Sequence, residues 1–279
     1  MGGHPAGPGM PGAPAPTNGI KHSLAIASGK GGVGKSTVSV NLAVALAQAG
    51  AATGLLDADL YGPSIPILMG TSRMPENNGH KLLPLEAHGV RLMSLGFLMP
   101  DGAPVIWRGP MVSGAIQQFL QDVEWGSLDY LLVDLPPGTG DAQLTLAQSL
   151  SLAGAVIVMT PQDLAMQIAG KALAMFRQLK VPILGIIENM SSFVCPHCGR
   201  RSAIFRQGGA CRASEHLGVP FLGEIPLDPR VCQTGDRGEP IVSSIPDSPV
   251  AEAFRRVSEA LAERVREEGL SAPVIRLGE

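Results

Sequence analysis

The stretch with the most chemistry in its spacing is Gly29-Lys30-Gly31-Gly32-Val33-Gly34-Lys35-Ser36-Thr37. It satisfies G-x-x-x-x-G-K-[ST], the pattern of a loop that wraps the phosphates of a nucleotide. Glycines lack a Cβ and tolerate positive φ, so backbone N–H groups can close around the phosphates. The helix that follows adds its unpaired first N–H groups and the positive end of its dipole. Lys35 supplies a point charge for the β and γ phosphates, and the Ser36 hydroxyl is a ligand for Mg²⁺. Such a loop must lie between a strand and a helix. The apolar run Leu24 to Ala27 predicts the strand, and Val38 to Gln48 predicts the helix.

Other polar residues stand at predicted strand ends. Ala51 to Leu56 reads as a strand ending in Asp57-Ala58-Asp59, carboxylates at i and i+2 that point together towards the crevice where open sheets bind ligands. Capping of the turn is the competing reading for both. Asp129 to Val133 is an apolar strand ending in Asp134, the Walker B pattern that sets an aspartate near Mg²⁺. Gly138, in the loop beyond it, can bring its N–H to a γ-phosphate. Ile183 to Ile187 is a strand ending at Glu188-Asn189, and the Asn189 amide can donate to and accept from an adenine edge at once. Phe221 to Ile225 predicts a last strand, followed by a turn over the base that makes Pro226 and Asp228 candidate contacts.

Cys195-Pro196-His197-Cys198 is a C-x-x-C pair that suits zinc, an iron–sulfur cluster or a redox couple. A redox couple of the thioredoxin kind opens a helix after an early strand, whereas this pair sits in a loop far down the chain. A closed zinc site needs four ligands, which Cys211 with Cys232 or His197 would complete, although Cys211 and Cys232 fall in separate helical segments. Where ATP is present, cysteines read as metal ligands or reduced thiols rather than disulfides.

These residues need a scaffold. From residue 19 onward strands and helices alternate, which predicts an α/β fold: a mostly parallel twisted sheet with helices on both faces. Of 279 residues 45% are hydrophobic and 16% charged, enough apolar surface for a sizeable core. Residues 1 to 18, dense in Gly and Pro, read as disordered. Residues 19 to 269 read as a single phosphate-loop domain with the C-x-x-C loop near 190–211, and 270 to 279 as a tail. Leu60 to Pro66 predicts a switch loop, and 70–89 a variable loop with a weak hairpin. Trp107 reads as packing, and Arg108 as a phosphate, partner or plain surface residue. Val250, Phe254, Val257, Leu261 and Val265 form the apolar stripe of an amphipathic helix. The net charge of −3 gives no reason to expect nucleic acid or an anionic membrane as partner. No apolar run spans a bilayer and no signal peptide is visible, so the expected compartment is the cytoplasm.

Lys30, directly after the first glycine, makes the loop resemble the deviant Walker A group that includes MinD, ParA, the arsenical-pump ATPase and the nitrogenase iron protein. That resemblance implies that Lys30 reaches the nucleotide of a partner subunit, that Asp59 positions or activates the attacking water, and that Asp57 supports the Mg²⁺ shell. GKGGVGKST, DADLYGPSIP, WRGPM, DYLLVDLPPGTGD, ENMSSFVCPHCG and IPLDPRV together resemble the Mrp/ApbC family of iron–sulfur cluster carrier ATPases over roughly residues 20 to 267. The family implies an ATP-hydrolysing homodimer that holds a [4Fe–4S] cluster through Cys195 and Cys198 of both chains. It receives the cluster from an upstream scaffold and passes it to apo iron–sulfur proteins. The chain departs from the family pattern at Phe205-Arg206, where Phe-Gly is usual, and at Cys211 and Cys232. A cysteine cluster near residue 1 is absent, so no second, permanent cluster is expected. A ParA/MinD-like positioning ATPase and a zinc-stabilised nucleotide-binding module are the rival readings.

Overall fold

The computed structural model describes residues 19–59, 62–98, 109–138, 140–195, 198–206 and 208–269. The expected disordered segment 1–18, the tail 270–279, Trp107, Arg108, His197 and part of the switch loop lie outside them.

Strand β1 (Ile20–Ala27) delivers the chain into the phosphate loop, and helix α1 (Lys35–Gln48) leaves it. The expected start of that helix, Val38, is three residues late, because Gly34 at φ 78° lets the helix begin at Lys35. Strand β2 (Thr53–Asp57) and the short α2 (Ile65–Leu68) follow. A hairpin of β3 (Leu85–Ala87) and β4 (Val90–Ser94) closes the variable loop. Helix α3 (Gly109–Asp122) leads to β5 (Leu128–Asp134), α4 (Asp141–Ser149) to β6 (Gly154–Met159), and α5 (Asp163–Gln178) to β7 (Ile183–Val194). The chain continues through β8 (Arg201–Ser202), α6 (Gly209–Leu217), β9 (Phe221–Leu227), α7 (Pro229–Gly235), α8 (Ile241–Ser244) and α9 (Pro249–Glu267).

Among the described residues the strands form one sheet in the order β3-β4-β2-β5-β1-β6-β7-β8, with β9 also paired to β7. Only the β3/β4 and β7/β8 pairs are antiparallel. Every residue of β2 and β6 is buried, as expected of parallel strands covered on both faces. Helices α1, α8 and α9 pack together on one face, and α5 and α6 pack on the other against β6 and β7. The predicted stripe of α9 is wholly buried. Ser248 caps that helix by accepting a hydrogen bond from the Ala251 N–H at 3.2 Å, the usual device for an orphan N–H of the first turn.

Strand β7 overturns one expectation. It does not end at Glu188-Asn189 but runs on to Val194. Beyond the polar run Asn189-Met190-Ser191-Ser192 the strand is held again, Phe193 pairing with Ser202 of β8 on one side and with Leu227 of β9 on the other. The pairing register breaks between Asn189 and Phe193, where Met190 takes a left-handed φ of 58°.

Candidate functional site

The parallel register collects the polar residues at one edge of the sheet. Asp134 lies beside Ile26 of β1 on one side and beside Asp57 of β2 on the other. Directly above, α1 directs three donors at the Asp134 carboxylate: Lys35 Nζ at 2.7 Å, Ser36 Oγ at 2.6 Å and Ser39 Oγ at 2.6 Å. A hydroxyl and a carboxylate this close are hard oxygen donors of the kind Mg²⁺ takes, so Ser36 and Asp134 fit that ion. Ser39 was not foreseen. Its signal is its spacing, one helical turn from Lys35 and Ser36.

The loop itself has room only where a ligand needs it. A Cβ on Gly31 or Gly32 would meet nothing within 4 Å, whereas one on Gly34 would stand 2.3 Å from Asn189 Nδ2. Asn189 donates that amide to the Val33 carbonyl at 2.8 Å, so β7 and the phosphate loop are stitched together. A cavity of about 290 Å³ is lined by Ser28, the loop from Lys30 to Thr37, Asp59, Ser64, Leu68 and Pro137. A second, of about 270 Å³, shares Gly34, Thr37 and Leu68 with it and continues past Asn189, Met190, Pro226 and Phe254. One polar and one mostly apolar chamber, joined at the loop, suit the phosphates and the base of one nucleotide. A larger open cleft of about 810 Å³ near Arg177, Lys180 and Ile183 lies at the opposite ends of the strands and holds none of the motif residues.

Asp57 and Asp59 stand in different surroundings. Strand β2 ends at Asp57, so the alternation that would aim both the same way stops there. Asp59 lines the phosphate cavity, 3.7 Å from Lys35 Nζ. Asp57 is fully buried and accepts from Ser94 Oγ and from the N–H groups of Asp59 and Ile65. Burial first, and the neighbouring Asp134 second, push its carboxyl up to about 7. Lys30 is held within its own chain, its ammonium donating to Gln162 Oε1 at 2.8 Å. The Gly138 N–H is taken by the Ser28 carbonyl at 2.9 Å, so a phosphate contact requires that bond to open. Pro226 and Asp228 line the base chamber, but the Asp228 carboxylate caps α7 and pairs with Arg230, which holds it below the usual carboxylate range.

The C-x-x-C pair sits at the tip of the β7/β8 hairpin. The Cys195 N–H donates to the Arg200 carbonyl at 3.0 Å, and the Gly199 N–H to the Cys195 carbonyl at 2.9 Å. Cys195 is half-buried and Cys198 exposed. Cys211 stands on α6, and Cys232 on α7 lines the base chamber. Among the described residues no group of three or more His, Cys, Asp or Glu side chains converges as a metal site, so the single-chain zinc arrangement is not assembled there.

The family described as "ParA: NUBPL iron-transfer P-loop NTPase" matches residues 19–262. An Aquifex aeolicus protein named "Iron-sulfur cluster carrier protein" is 50% identical over 250 residues, covering 88% of this chain and 69% of that one. A solved nucleotide-binding protein from Archaeoglobus fulgidus, in complex with ADP, is 41% identical with a TM-score of 0.75, covering 85% of this chain and 93% of that one. The cell division ATPase MinD of Pyrococcus furiosus, 24% identical with a TM-score of 0.66 over 87% of this chain and 98% of its own, shares the fold. With the match running unbroken from β1 through the phosphate loop, the Asp134 strand and the cysteine hairpin into α9, the chain belongs to the NUBPL family of iron-transfer P-loop NTPases.

Proposed function

We propose that this chain is an ATP-dependent carrier that holds a [4Fe–4S] cluster between two copies of itself, takes it from an assembly scaffold and passes it to apo-proteins. The observation that carries the reading is strand β7. It bonds the phosphate loop through Asn189 and ends one residue before Cys195. A change at the nucleotide therefore has a short route to the cluster ligands, from Asn189 along the irregular end of β7 to Cys195.

In this reading Lys35 exchanges its contact with Asp134 for the β and γ phosphates. Ser36 and Asp134 hold Mg²⁺, which when bound neutralises charge on the phosphate oxygens. Asp59 accepts a hydrogen bond from the water that attacks the γ-phosphorus, the bond to the bridging oxygen breaks, and ADP and phosphate result. Lys30 leaves Gln162 to place its charge at the partner's nucleotide, where negative charge develops. One chain offers two thiolates at the hairpin tip, and a [4Fe–4S] cluster takes four. A twofold axis supplies the second pair from the same loop of the other copy.

Anaerobic reconstitution with iron and sulfide tests this. The expected result is about four irons per dimer with broad absorbance near 400 nm. Cys195→Ala and Cys198→Ala each lose the cluster, and Cys211→Ala and Cys232→Ala keep it. One zinc per chain, dependent on all four cysteines, would replace the carrier with a zinc-stabilised module.

A further inference from the structure

The chain carries a net charge of −3, yet from Asn189 to Ser214 it holds Arg200, Arg201, Arg206 and Arg212 and no Asp or Glu. All four arginines are exposed. The hairpin brings two of them to the cysteines: the Arg200 carbonyl accepts the Cys195 N–H, and Arg201 pairs in register with Val194. Ile204, between them in sequence, leaves 55% of its surface in water and is one of the few large apolar side chains so exposed. The nearest carboxylate to Arg201 is Glu224, at 3.9 Å, with the two side chains 69% and 46% exposed, a pair too loose and wet to neutralise it. Arg206 holds φ at 80°, in the left-handed region where glycine is unstrained and an L side chain is not.

We propose that the hairpin surface beside Cys195 and Cys198 docks a partner protein that presents carboxylates, with Arg200 and Arg201 as its charged contacts and Ile204 as its apolar one. The proposal deepens the carrier reading and rests on it: the partner is an apo-protein that takes the cluster. The basic residues of the stretch are all arginine, whose planar fork matches carboxylates in pairs and is enriched at protein interfaces around an apolar centre. In the carrier reading a second copy meets this one at the cysteines themselves, and Arg200 and Arg201, which would face like charge across the twofold axis, are left as flanks for an acidic partner. Nucleic acid is a poorer occupant, because the patch is small, the rest of the chain is net acidic, and a backbone reader needs a longer basic track.

The test uses the full chain, cluster-free and cluster-loaded, with an acidic bacterial-type apo-ferredoxin as the probe. Calorimetry on the cluster-free chain should show binding that weakens as salt rises from about 0.05 to about 0.3 M. Arg200→Glu with Arg201→Glu should weaken it about tenfold or more, and slow cluster transfer in proportion, while iron content and self-association stay at wild-type levels. Arg200→Gln with Arg201→Gln should fall between. Lys81→Glu with Lys180→Glu, the same charge change at exposed sites away from the hairpin, should have no effect. The proposal is overturned by any of four results: no binding by the wild type, equal binding by the reversal variant, loss of iron or of self-association in that variant, or a DNA duplex that binds with the same arginine dependence. If no form of the chain retains iron, the carrier reading fails, and the binding measured on the cluster-free chain still decides whether the surface docks acidic protein.

Discussion

Asp57 ends β2 with Asp134 beside it in register, and no solvent reaches it. Two carboxylates side by side in a dry place resist joint ionisation. The Ser94 hydroxyl, the Asp59 N–H and the Lys35 charge pull in the other direction, and burial outweighs them, leaving a carboxyl at about 7. An acid whose folded value lies above its unfolded value binds a proton that the unfolded chain has released. Its contribution to stability therefore falls as pH rises from about 4 to about 7 and then levels. Measured against Asp57→Asn, the stability of the nucleotide-free wild type should decline across that window by on the order of 2–4 kcal/mol. Urea unfolding at pH 5 and pH 8 in the presence of a chelator reads it. A constant difference between the two proteins would mean that Asp57 is ionised throughout. Asp57 is thus a group beneath the cavity that organises the loop after β2, and Asp59 is the carboxylate at its wall.

At the scale of elements, β7 faces two ways. Neighbouring residues on a strand point to opposite faces. Asn189 bonds the phosphate loop, and Glu188, fully buried, accepts from the Ala210 N–H at the start of α6 at 2.6 Å. Burial raises the Glu188 carboxyl above its ordinary range. The close approach at Asn189 depends on Gly34, which has both a positive φ and no room for a Cβ. Gly34→Ala should cost about 2–4 kcal/mol, the sum of a left-handed alanine and a clash with a packed amide. Asn189→Ala clears the space. The double variant should therefore be more stable than the two single effects added together, by about 1–2 kcal/mol. Denaturant unfolding of the four proteins gives this coupling. Strict additivity would show that Asn189 is not packed against the loop.

Among the described residues the two joined chambers at the phosphate loop suit one nucleotide, and the Lys30 reading needs two copies. Lys30 rests on Gln162 of its own chain, so the proposed action on a partner's nucleotide would need an assembly of two copies. Complementation tests it. Lys30→Ala and Asp59→Asn should each hydrolyse ATP poorly alone. In a mixed dimer the Lys30→Ala chain keeps its own Asp59 and receives Lys30 from the other chain, so one site of two is complete. An equimolar mixture should regain about a quarter of wild-type turnover, since about half the dimers are mixed. No recovery after subunit exchange would return Lys30 to a role within its own chain. Among the described residues no helix is long and apolar enough to cross a membrane.

What was legible in the sequence was local. The glycine pattern from Gly29 to Gly34, Asp134 at the end of an apolar run and the Cys195–Cys198 pair each lie within a few residues, and alternating strand and helix patterns named the fold class. The stripe of α9 was legible because a helix repeats its buried face every three or four residues. The order of the strands was not. Asp134 meets Lys35, 99 positions away, only because β5 lies beside β1, and hydrogen bonds between distant strands leave no mark on local periodicity. The same reason hid the true length of β7, whose polar end is held by β8 and β9, and the end of β2, which separates Asp57 from Asp59. The placement of Arg200 and Arg201 beside Cys195 also waited on the hairpin. Local chemistry is written along the chain, whereas register and neighbours are set by which surfaces must be buried together.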